Sequence, residues 1–518
     1  MNNTPLTLRF ARSYNPFTLR DEIERLRRLQ LPSGRPSPHN ERAVRRTWPT
    51  KKETLVSKEL ATRALFADAL AGRIDRRTLL ARAAALGVSA PVAAALVQET
   101  MRAALASEEG KPNSTFYYWM PRDHPMINTI GEEQGVAVEI APTENFGFDR
   151  FVAEANEENS TWDSYGGVTP FLEMIALVNT GTIEPWDEYL PEGMIDDFVP
   201  AVRKKSTWDG KIYVWPLLLD IIVQARNADL VEKAGLDPEV APKTWDEFIE
   251  NARTVQESGV APYGLVFDNR DWRSLIPVTH SISTDVYTPD GLFMYDSEPA
   301  IQALEILGRM MELTIPDVLA PGEPSALLLA DEAAFTGQQA AYSFKYQNSP
   351  LRYASQWLDP SKLRLSRLPA PEGGAGGTVF WDTGAVLFKY GKNKQQAADF
   401  FAALSTDERF WQESVVGDPE EEILPLGQLP VLESVWTTWE DNPPEWITAN
   451  PWTWEIYESL GAASAIAPSI LAIKQFDTAR PEWHKYLTGE VTDAKTAATN
   501  AMNAVRAAFK RETGQDPQ

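Results

Sequence analysis

The segment "WDGKIYVWPLLLDIIVQARNADLVEKAGLDPEVAPKTWDEFIENA", residues 208–252, is the most informative part of this chain about its architecture. Its first half has the Ile, Val, Tyr and Leu content of a buried strand. Two residues conflict with a place in the middle of a sheet. Pro216 cannot donate a hydrogen bond to a neighbouring strand, and Asp220 brings a carboxylate into the apolar run. The segment continues into a predicted helix over residues 242–259, where Thr244 opens a capping box.

Strands and helices alternate on both sides of this segment. "STFYYWM" and "GVAVEIAPT" have the composition of strands, whereas several longer stretches have helical periodicity. Such alternation favours an α/β architecture. The predicted strands are residues 114–120 and 135–143, and the predicted helices are residues 148–158, 168–181, 300–313 and 393–404.

Composition excludes several classes of function. The net charge of −24 argues against nucleic acid as a partner. The chain has no cysteine, which excludes disulfides, thiolate metal sites and cysteine nucleophiles. Its four histidines lack the spacing of metal ligands, and no nucleophile motif is present. We therefore expect neither a cofactor, nor a metal, nor enzymatic activity.

The N-terminal part of the chain differs from the rest in charge. Residues 1–77 hold 17 basic and 8 acidic side chains, whereas the remainder holds 32 and 65. Arg76 and Arg77 precede an apolar run, a pattern typical of twin-arginine export signals. We predict a basic extension over residues 1–71, helical or poorly ordered, and an export signal over residues 72–106. The alternative interpretation of the run is an Ala-rich cytosolic helix.

The segment 208–252 also carries a specific combination of short motifs: Gly210-Lys211-Ile212-Tyr213, Pro216, Asn227-Ala228-Asp229-Leu230, Ala234-Gly235-Leu236 and Thr244-Trp245-Asp246-Glu247. In this combination and order it resembles the extracellular solute-binding proteins of ABC importers, in the carbohydrate-binding family that includes maltose-binding protein. Further similar motifs follow in the expected order at residues 336–344, 391–404, 427–431 and 487–505. The resemblance covers roughly residues 113–510.

The resemblance implies a two-lobed periplasmic-binding-protein-like fold of type II, with crossover hinge strands and a ligand cleft. Lobe 1 is then expected over residues 113–219 and 378–430, and lobe 2 over residues 220–377 and 431–510. The strand containing Pro216 becomes a crossover strand with a free edge, where a proline breaks no ladder. Asp220 then lies where the strand leaves lobe 1, at the cleft.

Sugars present hydroxyl edges and apolar faces, so their sites combine carboxylates with aromatic rings. The resemblance places seven such side chains at the cleft. Trp119 is expected at the end of the first strand, and Asp163 and Tyr165 at the end of a later strand of lobe 1. Each has a purely structural alternative, such as lobe packing or a hinge acid bonded to nearby groups. The predicted ligand-binding residues are Trp119, Asp163, Tyr165, Asp220, Trp272, Trp381 and Asp382.

The function that these features predict is the substrate-binding component of an ABC transporter. It would be a periplasmic monomer that captures a carbohydrate or polyol and delivers it to the transmembrane permease subunits. Two alternatives stay open: a ligand-sensing protein for a membrane receptor, and a glycoside-acting enzyme that uses an acid pair.

Overall fold

The structure is a computed structural model that describes residues 112–141, 148–320, 329–357, 360–372, 374, 376–449 and 452–518. The predicted basic extension and export signal, residues 1–71 and 72–106, lie outside the described residues.

Strands of very different length build the sheets. Two of them, β7 and β11, have 14 and 11 residues and are the longest. The strands are β1 (Asn113–Phe116), β2 (Ala137–Ile140), β3 (Ser164–Val168), β4 (Ile183–Glu184), β5 (Thr207–Trp208), β6 (Lys211–Ile212), β7 (Val214–Asn227), β8 (Tyr263–Phe267), β9 (Ala340–Tyr346), β10 (Leu363–Ser366), β11 (Thr378–Phe388) and β12 (Ala463–Ala465).

Helices cover the sheet and fill the C-terminal part. They are α1 (Trp119–Asp123), α2 (Met126–Glu133), α3 (Phe148–Asn156), α4 (Ile175–Asn179), α5 (Met194–Asp197), α6 (Pro200–Ser206), α7 (Ala228–Lys233), α8 (Trp245–Glu257), α9 (Leu275–Ile282), α10 (Glu298–Met310), α11 (Ala330–Thr336), α12 (Asn348–Trp357), α13 (Lys394–Thr406), α14 (Glu408–Val416), α15 (Glu433–Asp441), α16 (Glu445–Thr448), α17 (Trp452–Leu460), α18 (Lys474–Leu487) and α19 (Ala494–Thr513). A π-helical turn (Pro170–Met174) and two 3₁₀ turns (Asp271–Arg273, Pro360–Lys362) complete the elements.

One ten-stranded sheet connects both halves of the described part of the chain, in the order β2-β1-β3-β11-β7-β9-β8. β4 and β12 also pair with β11, and β10 pairs with β7. The half with the parallel strands β1–β3 is lobe 1, and the half with the parallel strands β8 and β9 is lobe 2. The two halves meet at β7 and β11, which are antiparallel to each other.

β7 is the crossover strand. Val214–Ile221 pairs with β11, whereas Ile222–Arg226 pairs with β9. On its other side, the lobe-1 half of β7 makes a single bridge among the described residues, from Leu219 to Leu429. That side is therefore a nearly free edge, as the resemblance implied for the position of Pro216. Pro216 also lies beside a bulge in β7, where Leu217 is the extra residue against Thr383 and Gly384 of β11, and bulges are another place where sheets accept proline.

The punctuated helices form where their caps predict them. α8 has the predicted capping box: the Thr244 hydroxyl accepts from the Glu247 amide, and the Glu247 carboxylate accepts from the Thr244 amide. Asn227 caps α7 through a bond from the Leu230 amide. The first strand is shorter than predicted, because it ends at Phe116. Trp119 is the first residue of α1, whose first turn accommodates Pro121 because this residue lacks an amide hydrogen.

Apolar packing is continuous across the hinge. One buried cluster extends from Phe116 in lobe 1 through Leu218 on β7 to Trp245 in lobe 2. A second cluster surrounds Tyr165 and Phe151 in lobe 1. In the described part of the chain, no helix combines the length and the apolar character that crossing a bilayer requires.

Candidate functional site

The register of the sheet locates the cleft. In lobe 1, Val168 at the carboxyl end of β3 pairs with Gly384, close to the middle of β11. In lobe 2, Tyr346 at the carboxyl end of β9 pairs with Ile222, where β7 enters this lobe. The carboxyl ends of the parallel strands in both lobes thus face the same hinge. Ligands of α/β sheets bind at such ends, so the hinge is the candidate site.

Trp381 stands at the centre of this hinge. It lies on β11 and pairs in register with Asp220 on β7. Its ring contacts Phe171 of lobe 1 and Tyr346 of lobe 2 edge to face, with centroid distances of 5.0 and 5.7 Å. The indole remains partly exposed, whereas its two neighbours are buried. The structure therefore puts a flat apolar surface between the lobes.

Asp220 lies beside it as a buried acid, 4% exposed. Its two oxygens accept hydrogen bonds from Gln347 Nε2 and Gln428 Nε2, each at 2.9 Å. Burial raises the pKa of Asp220 to about 7, although the bond from Gln428, the charges of Arg352 and Arg273 and the bond from Gln347 all oppose the rise. A carboxyl group with such a pKa can donate or accept at neutral pH.

Trp272 forms the lobe-2 side of the hinge. It lies in the 3₁₀ turn that follows β8, 6% exposed, with its ring 5.4 Å from that of Phe476. The guanidinium of Arg480 lies 5.3 Å from the indole centroid, a cation–π distance. Among the described residues, Trp272 Nε1 has no hydrogen-bond partner. A buried N–H without an acceptor is costly, so this atom is a candidate donor to a ligand.

Asp271 explains why Trp272 is held in place. This carboxylate is fully buried and accepts from Tyr295 Oη at 2.6 Å and from Trp483 Nε1 at 2.9 Å. It also forms an ion pair with Arg480 at 2.9 Å. Asp271 thus fixes the turn from behind, and its bonds are all to the chain itself.

A buried ionic cluster supports the segment between β8 and α9 that carries Trp272. Lys345 on β9 is 3% exposed and lies 2.8 Å from Asp331, 2.7 Å from Glu332 and 3.4 Å from Asp268. Burial disfavours the charged form of Asp268, yet Lys345 and Arg270 hold its pKa below the usual range. The cluster is a rigid base for lobe 2 at the cleft, since breaking one partner of a buried pair leaves an uncompensated charge.

On the lobe-1 side, Tyr117, Tyr118 and Trp119 follow β1 and are all partly exposed. The Tyr117 ring lies 5.1 Å from that of Tyr118 and 6.5 Å from that of Trp119. Trp119 in turn contacts the buried His124, whose Nδ1 is 3.0 Å from Ser414 Oγ. Burial lowers the pKa of His124 to about 4, so this side chain is neutral at pH 7.

Three of the predicted residues occupy other environments. Asp163 precedes β3 instead of ending it, at the strand end that faces away from the hinge. Its oxygens accept from the backbone amides of Asn113, Lys392 and Asn393 at 2.7–2.8 Å. This corrects the expectation that Asp163 points into the cleft: it ties the loop after β11 to the start of β1.

Tyr165 is corrected in the same way. It is 2% exposed, and its ring lies 5.0 Å from Phe151 within the second apolar cluster. Burial raises the pKa of its hydroxyl. Side chains alternate along β3, and the side chain of Tyr165 takes the core-facing position.

Asp382 also faces away from the cleft, because it follows Trp381 on β11 and alternation sends it to the opposite face. It forms an ion pair with Lys205, and both side chains are fully buried. Lys205 Nζ lies 5.1 Å from the ring centroids of Phe171 and Phe380. The pair therefore supports Phe171 from the core side, where a ligand has no access.

The structure brings Asp220 and Trp381 together, places Trp272 and Trp119 on the facing lobes, and separates Asp163, Tyr165 and Asp382 from them. Sequence reasoning did not assign Phe171, Gln347, Gln428, Arg352 or Phe476 to this region. The Gly-x-x-Pro motif at residues 427–430 predicted a turn there, but the direction of the Gln428 side chain depends on the crossover.

Comparison with known proteins gives one family match. Residues 170–409 match the sequence profile of the family described as bacterial extracellular solute-binding protein. Among curated proteins, a binding protein of Brucella abortus (strain 2308) is 24% identical over 233 residues, 43% of this chain and 54% of that protein. The arabinooligosaccharide-binding protein of Halalkalibacterium halodurans is 24% identical over 273 residues, 49% of this chain and 52% of that protein. The chain thus spans about half the length of the curated relatives it matches.

Solved structures resemble the chain over a larger part. The cyclic α-maltosyl-1,6-maltose binding protein from Arthrobacter globiformis has a TM-score of 0.62 at 20% identity, with 77% of this chain and 99% of that chain covered. The sugar-binding protein MalE from Xanthomonas citri has a TM-score of 0.61 at 15% identity, with 78% and 98% covered. The resemblance drawn from the sequence is confirmed: the chain has the two-lobed, type II periplasmic-binding-protein fold, and its residues 170–409 match the bacterial extracellular solute-binding proteins.

Proposed function

We propose that this chain is the substrate-binding component of an ABC transporter for a carbohydrate or polyol. The observation that carries the proposal is the partly exposed Trp381, which lies between rings of both lobes and pairs in register with the buried Asp220. An aromatic face beside a hydrogen-bonding acid suits the apolar face and hydroxyl edge of a sugar.

In this proposal the ligand contacts Trp381, Asp220, Trp272 and Trp119, and both lobes touch it. Ligand then shifts the open–closed equilibrium toward the closed form, because only that form offers all the contacts. The lobes comprise residues 113–219 and 378–430, and residues 220–377 and 431–510. The closed form docks on the transmembrane permease subunits as a monomer.

The proposed location is the periplasm. The matching family consists of bacterial extracellular proteins, which supports export. Arg76 and Arg77 with the following apolar run support the twin-arginine route. N-terminal sequencing of the protein from a periplasmic extract tests this: a start after residue 106 is expected, and an intact residue 1–106 segment would contradict cleavage there.

Isothermal titration calorimetry tests the function. The panel contains maltose, arabinotriose, sorbitol and sn-glycerol 3-phosphate. We expect micromolar or tighter binding of at least one member by the wild type, at least tenfold weaker binding after Trp381→Ala, and a smaller loss after Trp381→Phe, which keeps a ring. Tyr165→Phe is the matched control, because this aromatic lies in the core and should leave the affinity unchanged. A folded wild type that binds no sugar, polyol or polyol phosphate would refute the proposal.

A further inference from the structure

One ion pair connects the two lobes beside the candidate site. Asp123 ends α1 in lobe 1, and Arg352 lies on α12, which follows β9 in lobe 2. Arg352 Nη2 donates to Asp123 Oδ2 at 2.5 Å. The side chains are 14% and 27% exposed, so water screens the pair less than it screens a surface pair.

The pair lies near the ligand cleft without being part of its proposed contacts. The charge of Arg352 opposes the rise that burial causes in the pKa of Asp220, and it adds to the fall that burial causes in the pKa of His124. The helix that carries Arg352, α12, begins directly after Gln347, which donates to Asp220. Within the described part of the chain, the hydrogen bonds to the two Asp220 oxygens come from Gln347 and Gln428, and Arg352 donates instead to Asp123. Arg352 therefore spans from lobe 2 to lobe 1 at the edge of the hinge centre.

Asp123 has a second partner within its own lobe. Arg122 donates to it through Nε at 2.7 Å and Nη2 at 3.0 Å. These bonds, with the charge of Arg352, hold the pKa of Asp123 below its usual value although burial opposes this. A separation of the lobes would leave the bonds from Arg122 intact, because Arg122 is the chain neighbour of Asp123, and would break the pair with Arg352. The pair with Arg352 therefore requires that α1 of lobe 1 and α12 of lobe 2 lie together, as they do in this structure.

We propose that the Asp123–Arg352 ion pair stabilises the closed cleft and thereby sets the ligand affinity from outside the ligand contacts. A contact made only in the closed form increases the fraction of molecules that are closed, and the apparent affinity scales with that fraction. The claim that the pair favours closure depends only on the positions of Asp123 and Arg352 in the two lobes. The claim that it thereby sets the ligand affinity rests on the proposed function.

The test measures closure in the ligand-free protein, so it does not depend on the identity of the ligand. The chain contains no cysteine, and the exposed Glu132 in lobe 1 and Glu257 in lobe 2 can be changed to cysteine and spin-labelled without competing thiols. Pulsed electron-electron double resonance then gives the populations of closed and open distances. For the labelled full chain we expect Arg352→Gln to reduce the closed-to-open ratio about two- to fivefold, the range for a partly exposed ion pair.

Arg122→Gln is the matched control, because it removes an arginine from the same carboxylate within one lobe. We expect it to leave the ratio unchanged. Asp123→Asn should act like Arg352→Gln, and the double variant should add little to either single change. Equal populations in the wild type and Arg352→Gln, or equal effects of Arg122→Gln and Arg352→Gln, would overturn the proposal even if a sugar binds.

An affinity measurement separates this inference from the proposed function. With maltose and arabinotriose as probes, Arg352→Gln should raise the Kd at most by the factor by which it lowers the closed-to-open ratio. Arg122→Gln should bind both probes with the Kd of the wild type. If neither probe binds the wild type, the distance populations still decide the ion-pair proposal.

Discussion

The buried Asp220 makes a quantitative prediction about pH. Its pKa is about 7 in the folded protein, against about 4 for an aspartate in an unfolded chain. The folded state therefore holds a proton at pH 5 that the unfolded state has lost. This contribution to stability is complete below pH 4 and disappears as the pH rises through 7. Between pH 5 and pH 8 the wild type should lose about 2–3 kcal/mol of unfolding free energy through this one group.

Asp220→Asn removes this titration while it keeps the size of the side chain. One amide oxygen can still accept from Gln347. The new amide nitrogen needs an acceptor, and Gln428 can supply Oε1 by turning its amide, because this oxygen has no partner among the described residues. The variant should therefore fold.

Guanidinium denaturation at pH 5, 6, 7 and 8, followed by tryptophan fluorescence, measures the effect. All other groups titrate in both proteins and cancel in the difference between wild type and Asp220→Asn. We expect this difference to fall by about 2–3 kcal/mol from pH 5 to pH 8. Asp229→Asn is the control: Asp229 is partly exposed, and its hydrogen bond from Lys233 holds its pKa below the usual value, so its difference should be flat between pH 5 and pH 8. A flat difference for Asp220→Asn as well would refute the reasoning.

Two further substitutions test the buried residues that support the hinge strand β11. Lys205→Met leaves the carboxylate of Asp382 buried without its cation, so the unfolding free energy should drop by about 3–5 kcal/mol, and adding Asp382→Asn should recover part of the loss in the same denaturation assay. Gly384→Ala would place a Cβ 2.1 Å from the carbonyl oxygen of Trp215. We therefore expect the melting temperature of this variant to be several degrees lower than that of the wild type. An unchanged melting temperature would show that β11 can shift away from β7.

The resemblance to the solute-binding proteins implied the crossover strand, and that interpretation accounted for two residues that conflict with an ordinary core strand. Pro216 and Asp220 suit a strand that has a nearly free edge and then changes lobes, and β7 has both properties. The capped helix α8 was also predictable, since its N-cap and box are local signals.

The site was only partly predictable, because its geometry depends on contacts between distant segments. Asp163 and Tyr165 were expected at the end of a strand, but β3 begins at Ser164. Asp163 therefore lies just before the strand starts, at the side of the sheet that faces away from the hinge. The partner of Asp382 is Lys205 on α6, and no local pattern links the two. The hydrogen bonds from Gln347 and Gln428 to Asp220 likewise form only when β9 and the segment after α14 reach β7.

The position of β11 in the sequence also constrains how the chain can fold during its synthesis. β3 is complete at Val168 and β7 at Asn227, but the strand that lies between them in the sheet begins at Thr378. Lobe 1 therefore has no central strand until residues 220–377, the first segment of lobe 2, have been synthesised. A nascent chain that ends before Thr378 exposes one edge of β3 and one edge of β7, both of which can pair with other chains. Pairing across so long a separation is slow, so this protein should depend on chaperones that bind unpaired strands late in its synthesis.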